Sequence, residues 1–252
     1  MSEGPIRIFV GTEIKTKVPM DVLAHSIKRH TSREIKITPM IGADWEVPSG
    51  LHQGTGFSLR RFMIPHACNY EGHAIYLDAD QLVFGDIAEL FNYKNSMGDK
   101  SVACTYQPDK FNKNPWPQTS VMVIDCARVG WNPVDLWDML RRGYNYANFM
   151  HLTFMDKKPL QIPTFWNHFN VYEEMTTRLL HYTKEPEQPW YKPNHPLAHL
   201  WESELLKAIT AGAVSKADFN FALDLWSKPK LDKRLTQGLH PHYKKYLEKF
   251  KC

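Results

Sequence analysis

Apolar and polar positions alternate along this chain in the manner of an α/β protein. Residues 6–10, Ile-Arg-Ile-Phe-Val, predict a first strand that ends at Gly11. Met20, Leu23, Ala24 and Ile27 then recur at the spacing of one helix face, which predicts a helix starting after Pro19. Residues 74–77 and 82–84 predict further strands. Asp86 can cap a short helix through Leu90 and Phe91, because its side-chain oxygen accepts the unpaired N–H groups of a first turn. Short β-branched runs at 101–106 and 120–125 continue the alternation. Asn132-Pro133 opens a helix carrying Val134, Trp137 and Leu140 that stops at Gly143. Residues 178–183 predict a last strand, and Leu197, Leu200, Trp201, Leu205 and Ala208 a helix ending near Gly212. No internal repeat, low-complexity segment or linker interrupts the 252 residues, so one domain over 1–252 is expected.

Composition adds a large core, since 43% of residues are hydrophobic and 13% aromatic. The net charge of +4 is local. Residues 213–252 hold 9 Lys and Arg against 4 Asp and Glu, leaving the remainder at −1. This basic tail contains Phe219, Phe221, Leu225, Trp226, Tyr243, Tyr246 and Phe250. It reads as a closing helical tail, and peripheral contact with anionic lipid is the second reading. Nucleic acid is not expected as a partner, because no basic stripe with stacking aromatics occurs elsewhere. Cys68, Cys104, Cys126 and Cys252 show neither CxxC pairing nor regular spacing, which argues against a zinc knuckle or disulfide framework and for a reducing compartment. Neither a signal-peptide-length apolar run in residues 1–20 nor a span of about 20 apolar residues occurs, so the expected location is cytoplasmic.

The candidate chemistry centres on AIYLDADQLVFGD, residues 74–86. In an extended chain residues i and i+2 share a face, so Asp78 and Asp80 can reach one point beyond the strand's carboxyl end, where open α/β sheets bind ligands. Two such carboxylates suit Mg²⁺ or Mn²⁺ shared with substrate phosphates. The plain alternative is a pair that caps a turn. His195 and His199 are four apart at a helix start without an evident third ligand. Gly54-Thr55-Gly56 is too short for a phosphate-binding fingerprint and reads as a turn.

Three blocks, SLRRFMIP (58–65), YLDADQLVFGDIAELF (76–91) and LLHYTKEPEQPW (179–190), together resemble the retaining, metal-dependent sugar-nucleotide glycosyltransferases of family 8. The resemblance implies a single GT-A, Rossmann-like α/β domain with a mixed central sheet flanked by helices. It implies hexose transfer from a UDP-sugar to a hydroxyl acceptor, with Mn²⁺ or Mg²⁺ as cofactor. Asp78, Asp80 and His181 would be the metal ligands, and Asp78-Ala79-Asp80 would also face the donor. Arg61 would contact the diphosphate or donor sugar, and Gly11, Thr12 and Glu13 the uridine. Trp190 would lie beside the pyrophosphate. The chain departs from the family pattern at Gln188, where a lysine is expected, which leaves Lys184 as the phosphate contact. It departs again at Gln118-Thr119-Ser120, and at Asn148-Phe149 in place of an Asp-Gln pair, Asn148 taking the position that holds the donor sugar's hydroxyls. A non-catalytic sugar-nucleotide binder is the alternative these departures favour. A haloacid dehalogenase-type phosphatase is less compatible, because there the aspartates normally follow the first strand, and threonine or valine stands where this chain has Leu82.

Overall fold

In chain order the strands are β1 (Ile6–Gly11), β2 (Ile35–Met40), β3 (His73–Asp78), β4 (Gln81–Val83), β5 (Val102–Gln107), β6 (Trp116–Asp125), β7 (Leu160–Ile162), β8 (His168–Phe169) and β9 (Leu179–His181). The α-helices are α1 (Lys17–His30), α2 (Ile64–Ala67), α3 (Ile87–Phe91), α4 (Pro133–Arg141), α5 (Tyr146–Met150), α6 (Ala198–Thr210), α7 (Lys216–Ser227) and α8 (Leu239–Lys244). The computed structural model describes residues 4–51, 54–108, 115–227 and 239–250. Cys252 and part of the basic tail, residues 228–238 and 251–252, therefore lie outside the described residues. Two units are distinguished, one built on residues 1–13, 32–78 and 86–167, the other on 14–31, 79–85 and 168–252.

The first unit is organised on a mixed sheet in the order β2-β1-β3-β6-β5-β7. β1 runs parallel to β2 and β3, whereas β6 is antiparallel to β3 and β5. Central β3 is buried from Ala74 to Asp78, which explains its continuous apolar run. Phe9, Phe62, Tyr76, Met122, Ile124, Trp131 and Phe149 pack in one core beside it. The expected caps form: Asp86 accepts from Ala88 N, and Asn132 from Val134 N with Pro133 in the first turn. β2 escaped the sequence reading because it is an edge strand carrying Lys36, Thr38 and Pro39, which dilute its apolar signal.

The second unit holds a small sheet, β4-β9-β8, and a helical core. Val18, Val22, Leu82, Leu180, Trp190, Trp201, Leu205, Phe219, Trp226 and Tyr243 share that core. α1 starts at Lys17, earlier than expected, because Pro19 falls within the first turn, where a backbone N–H has no intrahelical partner to lose. The strand expected over 178–183 shortens to 179–181. α6 ends at Thr210, ahead of Gly212 at φ +73°. Of the tail aromatics, Phe219, Trp226, Tyr243 and Tyr246 are buried and Phe221 is exposed. Among the described residues no helix is long and apolar enough to cross a membrane.

Candidate metal centre

β3 delivers Asp78 beside Gly11, its register partner on β1. A Cβ at Gly11 would stand 2.2 Å from the Tyr76 hydroxyl and 2.7 Å from the Phe57 ring, so glycine is what lets Tyr76 close over the strand end. Tyr76 and Asp78 share a strand face, and the Tyr76 hydroxyl donates to Asp78 Oδ1. The Arg60–Met63 turn sets Arg61 against the same carboxylate. Arg61 Nη2 donates to Asp78 Oδ1 at 3.0 Å, Nη1 to Thr119 Oγ1 at 3.0 Å and Nε to Ser58 O at 2.8 Å. Its guanidinium carbon lies 4.5 Å from the centre of the Tyr76 ring. Arg61 is buried, so this is a desolvated, hydrogen-bonded ion pair.

Arg60, like Arg61, is tied to the backbone of neighbouring segments. Arg60 Nη1 donates to Thr12 O at 2.9 Å and to Met40 O at 2.6 Å, tying the ends of β1 and β2. Thr12 is buried and its hydroxyl donates to Glu13 O at 3.3 Å. A Cβ at Gly56 would meet Glu13 Oε1 at 2.1 Å, so the Gly54-Thr55-Gly56 turn packs on the Glu13 side chain. Gly54 N donates to the Tyr146 hydroxyl, which in turn donates to Ser58 Oγ, both at 2.9 Å.

Asp80 belongs to the second unit and is held from two directions. Tyr182 N donates to Asp80 O at 3.0 Å, extending the pairing of Gln81 with His181. Gln188 Nε2 donates to Asp80 Oδ2 at 2.8 Å and to Tyr182 O at 2.9 Å. His181 is buried, its Nδ1 3.5 Å from Gln81 Nε2 and its ring edge-to-face with Phe169 at 5.3 Å. His181 Nε2 lies 3.1 Å from Asp80 Oδ1, but the angles are not those of a hydrogen bond, and Oδ1 is buried with no hydrogen-bond partner among the described residues. Burial pushes the neighbouring Tyr182 hydroxyl up in pKa, so it stays protonated and donates to Leu197 O at 3.0 Å.

One ligand atom from each of Asp78, Asp80 and His181 lies within 4.8 Å of the other two. Two carboxylate oxygens and an imidazole nitrogen suit a divalent cation of the Mn²⁺ kind. Asp80 Oδ1, a buried acceptor without a donor, fits a cation as its missing partner.

The remaining expected residues are placed differently. Ala79 is buried between the two aspartates. Trp190 is fully buried, its ring packed with those of Tyr182, Tyr191 and Trp201 in the second unit's core. Lys184 is exposed and pairs with Glu187 at 3.7 Å. Asn148 is exposed on α5, and its backbone N–H is capped by Asn145 Oδ1 at 3.0 Å. Sequence reasoning missed the roles of Tyr76, Thr119 and Gln188. Tyr76 could have been found two residues before Asp78, on the same strand face.

No family model matches this chain. Protein CDI of Arabidopsis thaliana is 28% identical over 231 residues, covering 80% of this chain and 86% of that protein. Among solved structures the galactosyltransferase LgtC, in complex with donor and acceptor sugar analogues, superposes with a TM-score of 0.60 at 14% identity, over 79% of this chain and 95% of that one. The apo glycosyltransferase GlyE of Streptococcus pneumoniae TIGR4 gives 0.62 at 16% identity, over 89% and 63%. The apo bifunctional WbbM gives 0.57 at 12%, over 81% and 52%, so this chain spans about half of WbbM. The fold is thus the mixed α/β fold of GT-A glycosyltransferases, with a central mixed sheet flanked by helices. Within it lies a candidate Asp-Asp-His metal group.

Proposed function

We propose that this chain is a metal-dependent, retaining glycosyltransferase of the family 8 type, a single domain that moves a hexose from a UDP-sugar to a hydroxyl acceptor. The observation that carries the proposal is the Asp78, Asp80 and His181 group within a GT-A fold. When bound, Mn²⁺ or Mg²⁺ supplies Lewis-acid stabilisation of the charge that develops on the departing diphosphate. Arg61, already fixed by Asp78, Thr119 and Ser58, orients the Asp78 carboxylate and presents its guanidinium toward the donor. Gly11, Thr12 and Glu13 hold the uridine, and Lys184, exposed at 66% and joined to Glu187 at 3.7 Å, exchanges that partner for phosphate. Trp190 buttresses the loop from within the core. Asn148 offers an amide to a sugar hydroxyl and no nucleophile. The acceptor oxygen therefore attacks the anomeric carbon on the face that the diphosphate leaves, and its proton passes to the leaving phosphate oxygen.

Calorimetric titration of UDP tests the reading. Tight binding with Mn²⁺ and weak binding with EDTA are expected, and equal affinity in both removes the metal assignment. A screen of UDP-glucose, UDP-galactose and UDP-N-acetylhexosamines for Mn²⁺-dependent hydrolysis then identifies the donor. The exposed amide of Asn148, where a carboxylate is expected, favours a second reading, a sugar-nucleotide binder that does not transfer. UDP-sugar binding with neither hydrolysis nor transfer supports that reading.

A further inference from the structure

The Asp80 carboxylate is oriented by a neutral amide. Gln188 is 4% exposed, and its Nε2 bridges Asp80 Oδ2 at 2.8 Å and Tyr182 O at 2.9 Å. Both partners are acceptors, so only the NH₂ end of the amide can face them, which fixes its orientation. The other end, Oε1, is buried without a hydrogen-bond partner among the described residues. The backbone of Gln188 is equally fixed, because its carbonyl accepts from Tyr191 N and Lys192 N, both at 2.9 Å. Tyr182 joins the elements: its N–H holds the Asp80 carbonyl at 3.0 Å, and its own carbonyl holds the amide that grips the Asp80 side chain.

We propose that Gln188 is the positioning residue of the metal centre: by holding Asp80 Oδ2 it aims Oδ1 at the cation through a donor that carries no charge of its own. The inference rests on the metal reading above. A side chain that merely filled space at position 188 would not need to place both N–H groups on acceptors, and would not leave a buried carbonyl oxygen unpartnered in doing so. That oxygen is an acceptor for a donor-bearing ligand group, such as a hydroxyl or a cation-bound water. A lysine at this position would also reach Asp80, but its ammonium would neutralise the carboxylate and compete with the cation.

The test titrates Mn²⁺ into the full chain and follows the electron paramagnetic resonance signal of free Mn²⁺, without nucleotide. Asp80→Ala should abolish binding. Gln188→Met, similar in volume and without a donor, should weaken Mn²⁺ binding about 10- to 100-fold, the cost usual for losing a partner that orients a metal ligand. Gln188→Lys should weaken it further. Gln188→Met with wild-type affinity, where Asp80→Ala has lost binding, overturns the positioning role and leaves the metal site standing. Wild-type affinity in Asp80→Ala overturns the metal reading and this inference with it. Should Gln188→Met not fold, Gln188→Asn, too short to span both acceptors, carries the same expectation of at least tenfold weakening, and wild-type affinity in it overturns the role. A purely structural Gln188 would lower the melting temperature and leave the Mn²⁺ affinity of the folded protein unchanged.

Discussion

Asp78 and Asp80 are one residue apart, yet their surroundings differ in kind. Asp78, at the end of a buried strand, receives the Arg61 guanidinium and the Tyr76 hydroxyl on one oxygen. Asp80 receives a neutral amide on Oδ2, and its Oδ1 is buried without a hydrogen-bond donor among the described residues. The second unit does use a guanidinium elsewhere: Glu204 on α6 is gripped at 3.0 Å by both Nε and Nη2 of Arg29, and by His25 Nδ1 at 2.6 Å. The contrast separates two duties. Carboxylates paired with arginine, Asp78 among them, are tied into the packed frame, whereas the one paired with an amide keeps an oxygen that no donor among the described residues occupies.

The strongest break of this contrast is Arg61→Met, which strands Asp78 in a buried setting. It should cost about 3–5 kcal/mol in chemical denaturation, as removing one partner of a buried ion pair does.

Glu204→Gln should cost less, about 1–3 kcal/mol, because an amide nitrogen replaces a carboxylate oxygen that accepts from the partly exposed Arg29 guanidinium. Burial pushes the Glu204 carboxyl up, but the hydrogen bonds and charges of Arg29 and His25 outweigh it and leave the group below its ordinary 4.5. A carboxyl depressed in the folded state contributes stability that is full above its unfolded value and is lost as pH falls through the folded one. Unfolding free energy should therefore drop more steeply below about pH 4.5 in the wild type than in Glu204→Gln. Parallel pH profiles would remove Glu204 from the group of fold-holding carboxylates.

Gly11→Ala pushes a methyl group toward the Tyr76 hydroxyl and the Phe57 ring, and should cost about 1–3 kcal/mol by overpacking. A melting temperature equal to wild type would show that Tyr76 can leave Asp78 freely.

The smallest stability effect should belong to Asp80→Asn, under about 1 kcal/mol without cation, as the side-chain hydrogen bond that Asp80 receives among the described residues comes from the neutral Gln188 amide. Saturating Mn²⁺ at about 100 times its dissociation constant should stabilise the wild type by about 2.7 kcal/mol and this variant hardly at all. A large cost without cation would place Asp80 with the fold-holding carboxylates and erase the distinction.

Much of the frame was legible in the chain. The runs that became β1, β3, β5 and β6 carry apolar side chains on both faces, and Asp86 and Asn132 announced their helices because a cap acts within three residues. β2, β7 and β8 were not legible, since edge and two- or three-residue strands take their pairing from distant partners rather than from their own pattern. The local blocks carried the DxD pair and His181, whose ligand atoms lie within 4.8 Å of one another, but not the exposed pairing of Lys184 with Glu187 or the place of Trp190 in the core.

By itself the sequence determined where carboxylates follow a strand, because strand periodicity and side-chain chemistry are properties of adjacent residues. Only the tertiary structure decided which donor each carboxylate meets. Arg61 reaches Asp78 across 17 residues, and Gln188 reaches Asp80 across 108. Such partners are chosen by packing distances that no local pattern encodes, and they alone distinguish the aspartate tied to a guanidinium from the one held by an amide.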